Sequence, residues 1–162
     1  MTFRLSGLIL SLLAALTLGA CQTVPQSGFT RAQTEMLQSQ GFVETDAGWQ
    51  LSLADRLLFA TGSADVQPEM QARIAEMARG LQSVGLTAAR VEGHTDSSGS
   101  AEFNARLSEQ RATAVSAIMQ ANGFPAASLA IRGWGETMPV ADNGTEEGMA
   151  QNRRVVVIVT AL

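Results

Sequence analysis

RVEGHTDSSGSAEFNARLSEQRA, residues 90–112, holds a complete strand-to-helix transition. Val91, Gly93 and Thr95 alternate with Arg90, Glu92 and His94, which predicts a strand over Arg90–Thr95 with the first set sharing one face. Small polar residues then break the alternation, and Ser100 is a natural helix N-cap. The helix it opens is expected to reach about Ala121 and to stop at Asn122-Gly123. Its expected core stripe is Phe103, Leu107, Ala114, Ile118 and Ala121. A strand feeding directly into a helix is the unit from which layered α/β folds are assembled.

The same reading extends outward. Pro68 and Glu69 open a helix in which Met70, Ile74, Met77 and Leu81 form one buried stripe, ended by Gly85. A strand is expected at about Leu129–Trp134, followed by a loop rich in Gly, Asn, Thr and Glu. Val155–Val159 is a continuous β-branched run, apolar on both faces, and so belongs in the middle of a covered sheet. Upstream, Thr30–Gln40 reads as a short helix capped by Thr30. Phe42–Thr45 and Trp49–Leu53 read as a hairpin around Asp46-Ala47-Gly48. Leu57-Leu58-Phe59 reads as a brief apolar extension before the loop Thr61-Gly62-Ser63. The expected fold is an α/β sandwich of order βαβαβ(α)β, a small mixed sheet covered by helices.

Composition narrows the function. The chain has 162 residues, 46% of them hydrophobic, enough for one domain with a short appendage. Its formal net charge is −4 with no basic stripe, which disfavours nucleic acid, whose affinity rests on phosphate neutralisation. All 11 cations are arginine, which excludes Schiff-base chemistry and a lysine nucleophile. One cysteine, Cys21, and one histidine, His94, cannot supply an internal disulfide or a His-rich metal site. No cofactor is expected.

The amino terminus reads as an address. Arg4 precedes the apolar run Leu8–Leu18, which is too short to span a bilayer and is typical of a secretory signal. Leu18-Gly19-Ala20-Cys21 resembles the lipobox, whose cysteine becomes the acylated first residue of a lipoprotein. Gln22 follows, not the aspartate that commonly retains such proteins in the inner membrane, so the outer membrane is favoured. The expected organisation is a signal peptide at 1–20, a tether at 21–29, a helix-and-strand addition at 30–48 and the main domain at 49–162.

Chemistry concentrates at the transition. Asp96 sits at the carboxyl end of its strand, where ligands bind in α/β sheets, next to the unpaired N–H groups of a helix start. Asn104, Ser108 and Arg111 share one face of that helix. One carboxylate and one guanidinium suit a zwitterion carrying an amine and a carboxylate on one carbon. Charge and spacing alone do not separate this from an Asp cap beside a solvated arginine.

The sequence resembles the OmpA-like peptidoglycan-binding domain of porin tails, peptidoglycan-associated lipoproteins and flagellar stator proteins. The resemblance runs from about Trp49 to Thr160. It is carried by Leu57-Leu58-Phe59, Gly62-Ser63-Ala64, Pro68-Glu69, Gly93-His94-Thr95-Asp96, Asn104, Leu107-Ser108, Arg111-Ala112, Gly133-Trp134-Gly135-Glu136, Pro139 and Asn152-Arg153-Arg154. It implies that Asp96 and Arg111 grip diaminopimelate of the stem peptide, with Asn104 lining the pocket and Leu107 near it. Thr61, Gly62 and Arg154 of the Asn152-Arg153-Arg154 segment are implied at its flanks. Ala60 departs from the polar or acidic residue common in relatives. Without a lysine amine for a covalent wall link, attachment to peptidoglycan is expected to be non-covalent, with acylated Cys21 holding the outer-membrane lipid.

Two other functions compete with a non-enzymatic tether. His94, Asp96 and one of Ser97, Ser98 or Ser100 could form a hydrolase triad, but no nucleophile-elbow motif accompanies them. Envelope proteins could share the domain, with residues 30–48 as the distinguishing surface. A porin barrel needs far more chain than the tether contains.

Overall fold

The computed structural model describes residues 28–60 and 63–161. The expected signal peptide, Cys21, the tether up to residue 27, Thr61 and Gly62 lie outside the described residues. Five strands form one mixed sheet: β1 (Val43–Thr45), β2 (Gly48–Ala54), β3 (Ala89–His94), β4 (Leu129–Gly133) and β5 (Arg154–Val159). Their order is β1-β2-β5-β3-β4, with β3 and β4 parallel and the other neighbours antiparallel. The β-branched run takes the central place, and all six residues of β5 are buried.

Alternation along the strands separates two faces. Val157 pairs in register with Leu51 on one side and Val91 on the other. Val155, Val157 and Val159 join Trp49, Leu53 and Val91 in the main core. Burying each such side chain contributes about 1.5–3 kcal/mol, and a one-residue slip would turn the set outward, so the register is strongly fixed. Val156 and Ile158 face the other way, into a cleft of about 960 Å³ bordered by Met138, Val140 and the last helix.

Helices α1 (Arg31–Ser39), α2 (Asp55–Leu58), α3 (Pro68–Ser83), α4 (Ala101–Ala121) and α5 (Glu146–Asn152) complete the fold. The α3 stripe is as expected: Ile74, Met77 and Leu81 are buried, and Met70 packs at the edge of the core. The α4 stripe is not. Its buried face is Asn104, Ser108, Arg111, Ala112, Val115, Ser116 and Met119. Phe103 is 49% exposed, Ala121 is exposed, and Leu107, Ala114 and Ile118 are only partly buried. The physical reason lies beneath the helix. A Cβ on Gly93 would collide with the Ser108 carbonyl oxygen, and one on Gly133 would lie 2.6 Å from the Glu109 nitrogen. Helix α4 therefore rests on bare strand backbone, which admits small and polar side chains at its amino-terminal half.

One element differs from expectation, and the optional last helix is present. Asp55–Leu58 is a helical turn rather than an apolar extension. The loop after β4 contains α5, whose N-cap Thr145 accepts a hydrogen bond from the Gly148 N–H at 3.0 Å. The addition at 30–48 packs on the sheet and α3: β1 pairs with β2, Leu37 is fully buried, and Thr30 and Gln33 form a capping box. Phe29, read as tether, is buried. A Cβ on Gly28 would lie 3.0 Å from the Cβ of Ala161. The chain thus enters beside the carboxyl end of β5, whereas His94 pairs with Arg154 at its amino end.

Candidate functional site

The site lies where β3 ends and β5 begins. Trp134 N–H donates to the Gly93 carbonyl and Thr95 N–H to the Gly135 carbonyl, both at 2.9 Å, which prolongs the β3–β4 contact past the strands. Ser108 Oγ accepts from the Gly135 N–H at 2.9 Å and donates to the Ala105 carbonyl at 2.9 Å. Ser100 Oγ accepts from the Phe103 N–H and starts α4 beside Asp96. These bonds hold the helix face against the strand ends.

Asp96 is buried and fully engaged. One carboxylate oxygen, Oδ1, accepts from the Ser98 N–H at 2.9 Å, closing a local turn. The other, Oδ2, meets Arg153 Nη1 at 2.5 Å. Burial pushes the Asp96 pKa up, but the hydrogen bonds from Arg153 and Ser98 outweigh it and hold the carboxyl below its ordinary value. Asn104, buried between, donates from Nδ2 to the Asp96 carbonyl at 3.3 Å and to Glu136 Oε2 at 2.6 Å.

Arg111 is also paired, with a different residue. Its Nη1 lies 2.7 Å from Asp55 Oδ1, an ion pair without hydrogen-bond alignment. Its Nε donates to the Ser63 carbonyl at 3.1 Å, and the guanidinium stands 5.0 Å from the Phe59 ring centroid. Burial lowers the Arg111 pKa and raises that of Asp55, each partly offset by its partner. Asp55 and Arg111 also feel the charges of Asp96 and Arg153, so four charges of balanced sign share one site.

The sequence-predicted residues therefore separate into groups. Asp96, Asn104 and Arg111 are brought together, Asn104 bonding the Asp96 backbone and Arg111 feeling the Asp96 charge, but Asp96 and Arg111 do not pair with each other. Leu107 is partly buried on α4. Arg154 turns elsewhere: Nη1 donates to the Asn152 carbonyl and Nη2 to the Met138 carbonyl. It lines the cleft on the face of Val156 and Ile158 with His94, and Arg153 and Glu146 border the same cleft. Arg153 is the residue of that segment at the site. Strand alternation back from Val155 carried this signal, because Arg153 has the parity of the core side. Asp55 was missed because the turn α2 was read as extended chain.

The proposed triad is not assembled. Both ring nitrogens of His94 lack hydrogen-bond partners among the described residues. Burial, with the Arg154 charge adding to it, lowers the His94 pKa to about 4, so the ring is neutral. Ser100 is committed to its helix, and Ser98 Oγ points to Met149 Sδ.

Residues 58–153 match the OmpA family. The chain is 41% identical over 147 residues to the outer-membrane lipoprotein YfiB of Pseudomonas aeruginosa, covering 90% of this chain and 88% of that one. It is 42% identical over 147 residues to the putative lipoprotein YfiB of Escherichia coli, covering 90% and 91%. Among solved structures, the type VI secretion cell wall anchor of Pseudomonas aeruginosa superposes with TM-score 0.66 and 30% identity, over 82% of this chain and 96% of that one. The peptidoglycan-associated lipoprotein of Burkholderia pseudomallei gives 0.59 and 30%, over 67% and 89%. With residues 58–153 matching the family and two relatives above 40% identity over nine-tenths of the chain, the chain belongs to the OmpA family.

Proposed function

We propose that this chain is a non-enzymatic lipoprotein of the outer membrane that holds peptidoglycan reversibly from the periplasmic side, gripping diaminopimelate of the stem peptide. The observation that carries the reading is the pair of enclosed charges at the strand ends, Asp96 after β3 and Arg111 on α4, close enough to feel each other's charge, with Asn104 bonded to the Asp96 backbone. An ammonium suits Asp96, and a carboxylate suits the planar guanidinium of Arg111. The names of the relatives, two lipoproteins called YfiB and a cell wall anchor, support the same reading. Acylated Cys21 supplies the membrane end. Leu107, Thr61 and Gly62 remain candidates for the pocket wall, and Arg153 replaces Arg154 at its flank.

Co-sedimentation with purified sacculi tests the grip. The protein is expected to pellet with diaminopimelate-type sacculi, and Asp96→Ala and Arg111→Ala are each expected to abolish this. Lysine-type sacculi, which lack the second carboxylate, should pellet less of it. Retention of both variants at the parental level would refute the reading. For the lipid, a labelled fatty acid should be incorporated by the parent and not by Cys21→Ser.

A further inference from the structure

The jaw carboxylate is already occupied by a cation of the protein's own. Arg153 Nη1 sits on Asp96 Oδ2 at 2.5 Å, the place an incoming ammonium would take. The other oxygen of Asp96 is held by the Ser98 N–H. A second cation arriving at this carboxylate meets the charge of the first at close range. Arg111 differs: Asp55 and Ser63 engage Nη1 and Nε, and Nη2 makes no hydrogen bond among the described residues.

Arg153 is placed to leave. Its side chain is 31% exposed, against 5% for Arg111. It forms the C-cap of α5, and its Nη2 lies 3.4 Å from Glu146 Oε1 at the start of that helix. Glu146 is 76% exposed and has room to follow the guanidinium outward. Transfer from Asp96 to Glu146 would exchange one counter-ion for another, so the arginine never stands unpaired.

We infer that Arg153 is the gate of this site: in the empty protein its guanidinium stands in for the ligand's ammonium on Asp96, and binding moves it onto Glu146. This rests on the proposed grip. Its consequence is selectivity. A ligand bearing an ammonium can take over Asp96, whereas one bearing only carboxylates cannot dislodge Arg153.

The test is calorimetric titration of meso-diaminopimelate into the protein and four variants, with thermal unfolding as a check of folding. Arg153→Gln is expected to bind about fivefold tighter or more, because the partly exposed arginine no longer competes for the buried carboxylate. Glu146→Gln is expected to bind severalfold more weakly, because the displaced guanidinium has lost its second partner. If Glu146 acts only through Arg153, the double variant matches Arg153→Gln alone, which is the non-additivity of coupled residues. Weaker binding by Arg153→Gln, or additive effects in the double variant, would overturn the gate and make Arg153 an ordinary ligand contact. Parental binding by Asp96→Ala would instead overturn the grip itself, so the two failures are distinct.

Discussion

Asp55 and Arg111 form the more enclosed of the two ion pairs at the strand ends, with side chains 13% and 5% exposed and 2.7 Å between Oδ1 and Nη1. Asp96 and Arg153 form the looser pair, since the arginine is 31% exposed. Removing one partner of an enclosed pair strands a charge away from water, at a cost of about 3–5 kcal/mol. Asp55→Ala is expected to lose that much in denaturant unfolding. Arg153→Gln is expected to lose less, because the Ser98 N–H still donates to the Asp96 carboxylate and the Arg111 charge still offsets it. Equal losses would show that the two pairs are equally buried in solution.

Stability should fall with acidity earlier than carboxylate titration requires. His94 is the sole histidine, and burial lowers its pKa from 6.5 to about 4. The unfolded chain therefore takes up a proton that the folded one refuses. Its contribution is complete above about pH 6.5 and is lost as the pH falls toward 4, on the order of 3 kcal/mol in all. His94→Gln should flatten the dependence of Tm on pH in this interval. The difference between the two proteins isolates the histidine, because Asp55, raised by burial, titrates in both.

Gly93 tests the seat of α4. A Cβ there collides with the Ser108 carbonyl oxygen, which belongs to helix backbone and cannot swing away. Gly93→Ala should cost about 3 kcal/mol or more by overpacking and should weaken sacculus binding as α4 lifts from Asp96. Gly85→Ala is the control. Its φ of +78° is strained for alanine but nothing lies within 4 Å, so it should cost about 1–2 kcal/mol and leave binding unchanged.

The three residues Asn152, Arg153 and Arg154 should behave differently. Asn152 is fully buried, accepting from the Val140 and Ala141 N–H groups and donating to the Ala141 carbonyl and Asn143 Oδ1. Asn143 Oδ1 also accepts from the Ser97 N–H. Asn152→Ala should therefore destabilise by about 2–3 kcal/mol and loosen the loop beside Asp96. Arg154→Ala should lower stability through the carbonyls of Asn152 and Met138 while leaving sacculus binding near the parental level.

How much of this was readable beforehand depended on what each residue packs against. Val155–Val159 could only be a central strand, since both of its faces are apolar, and the α3 stripe faces an ordinary apolar core. The α4 stripe misled because apolar periodicity assumes an apolar partner surface. Here the partner is glycine backbone and a polar crevice, so Asn104, Ser108 and Arg111 are buried while Phe103 is exposed. Asp96 and Arg111 were legible as residues, but not their partners. Asp55 and Arg153 reach them through α2 and the α5–β5 junction, contacts that span the chain. Of the two adjacent arginines, alternation back from Val155 gives the side of the sheet each takes but not the partner it meets.

The placement of Gly28 beside Ala161, and of Asp96 beside the opposite end of β5, also sets how the domain bears load. Under the proposed function, with lipid pulling at the amino terminus and wall at the strand ends, tension runs along the strands rather than across them. Rupture then requires all the hydrogen bonds of one ladder, β2 to β5 or β5 to β3, to shear together, whereas a sideways pull would unzip them one at a time. The sheet is accordingly strongest in the direction of separation between membrane and wall. Under sustained tension the wall contact at Asp96 should slip before the domain unfolds.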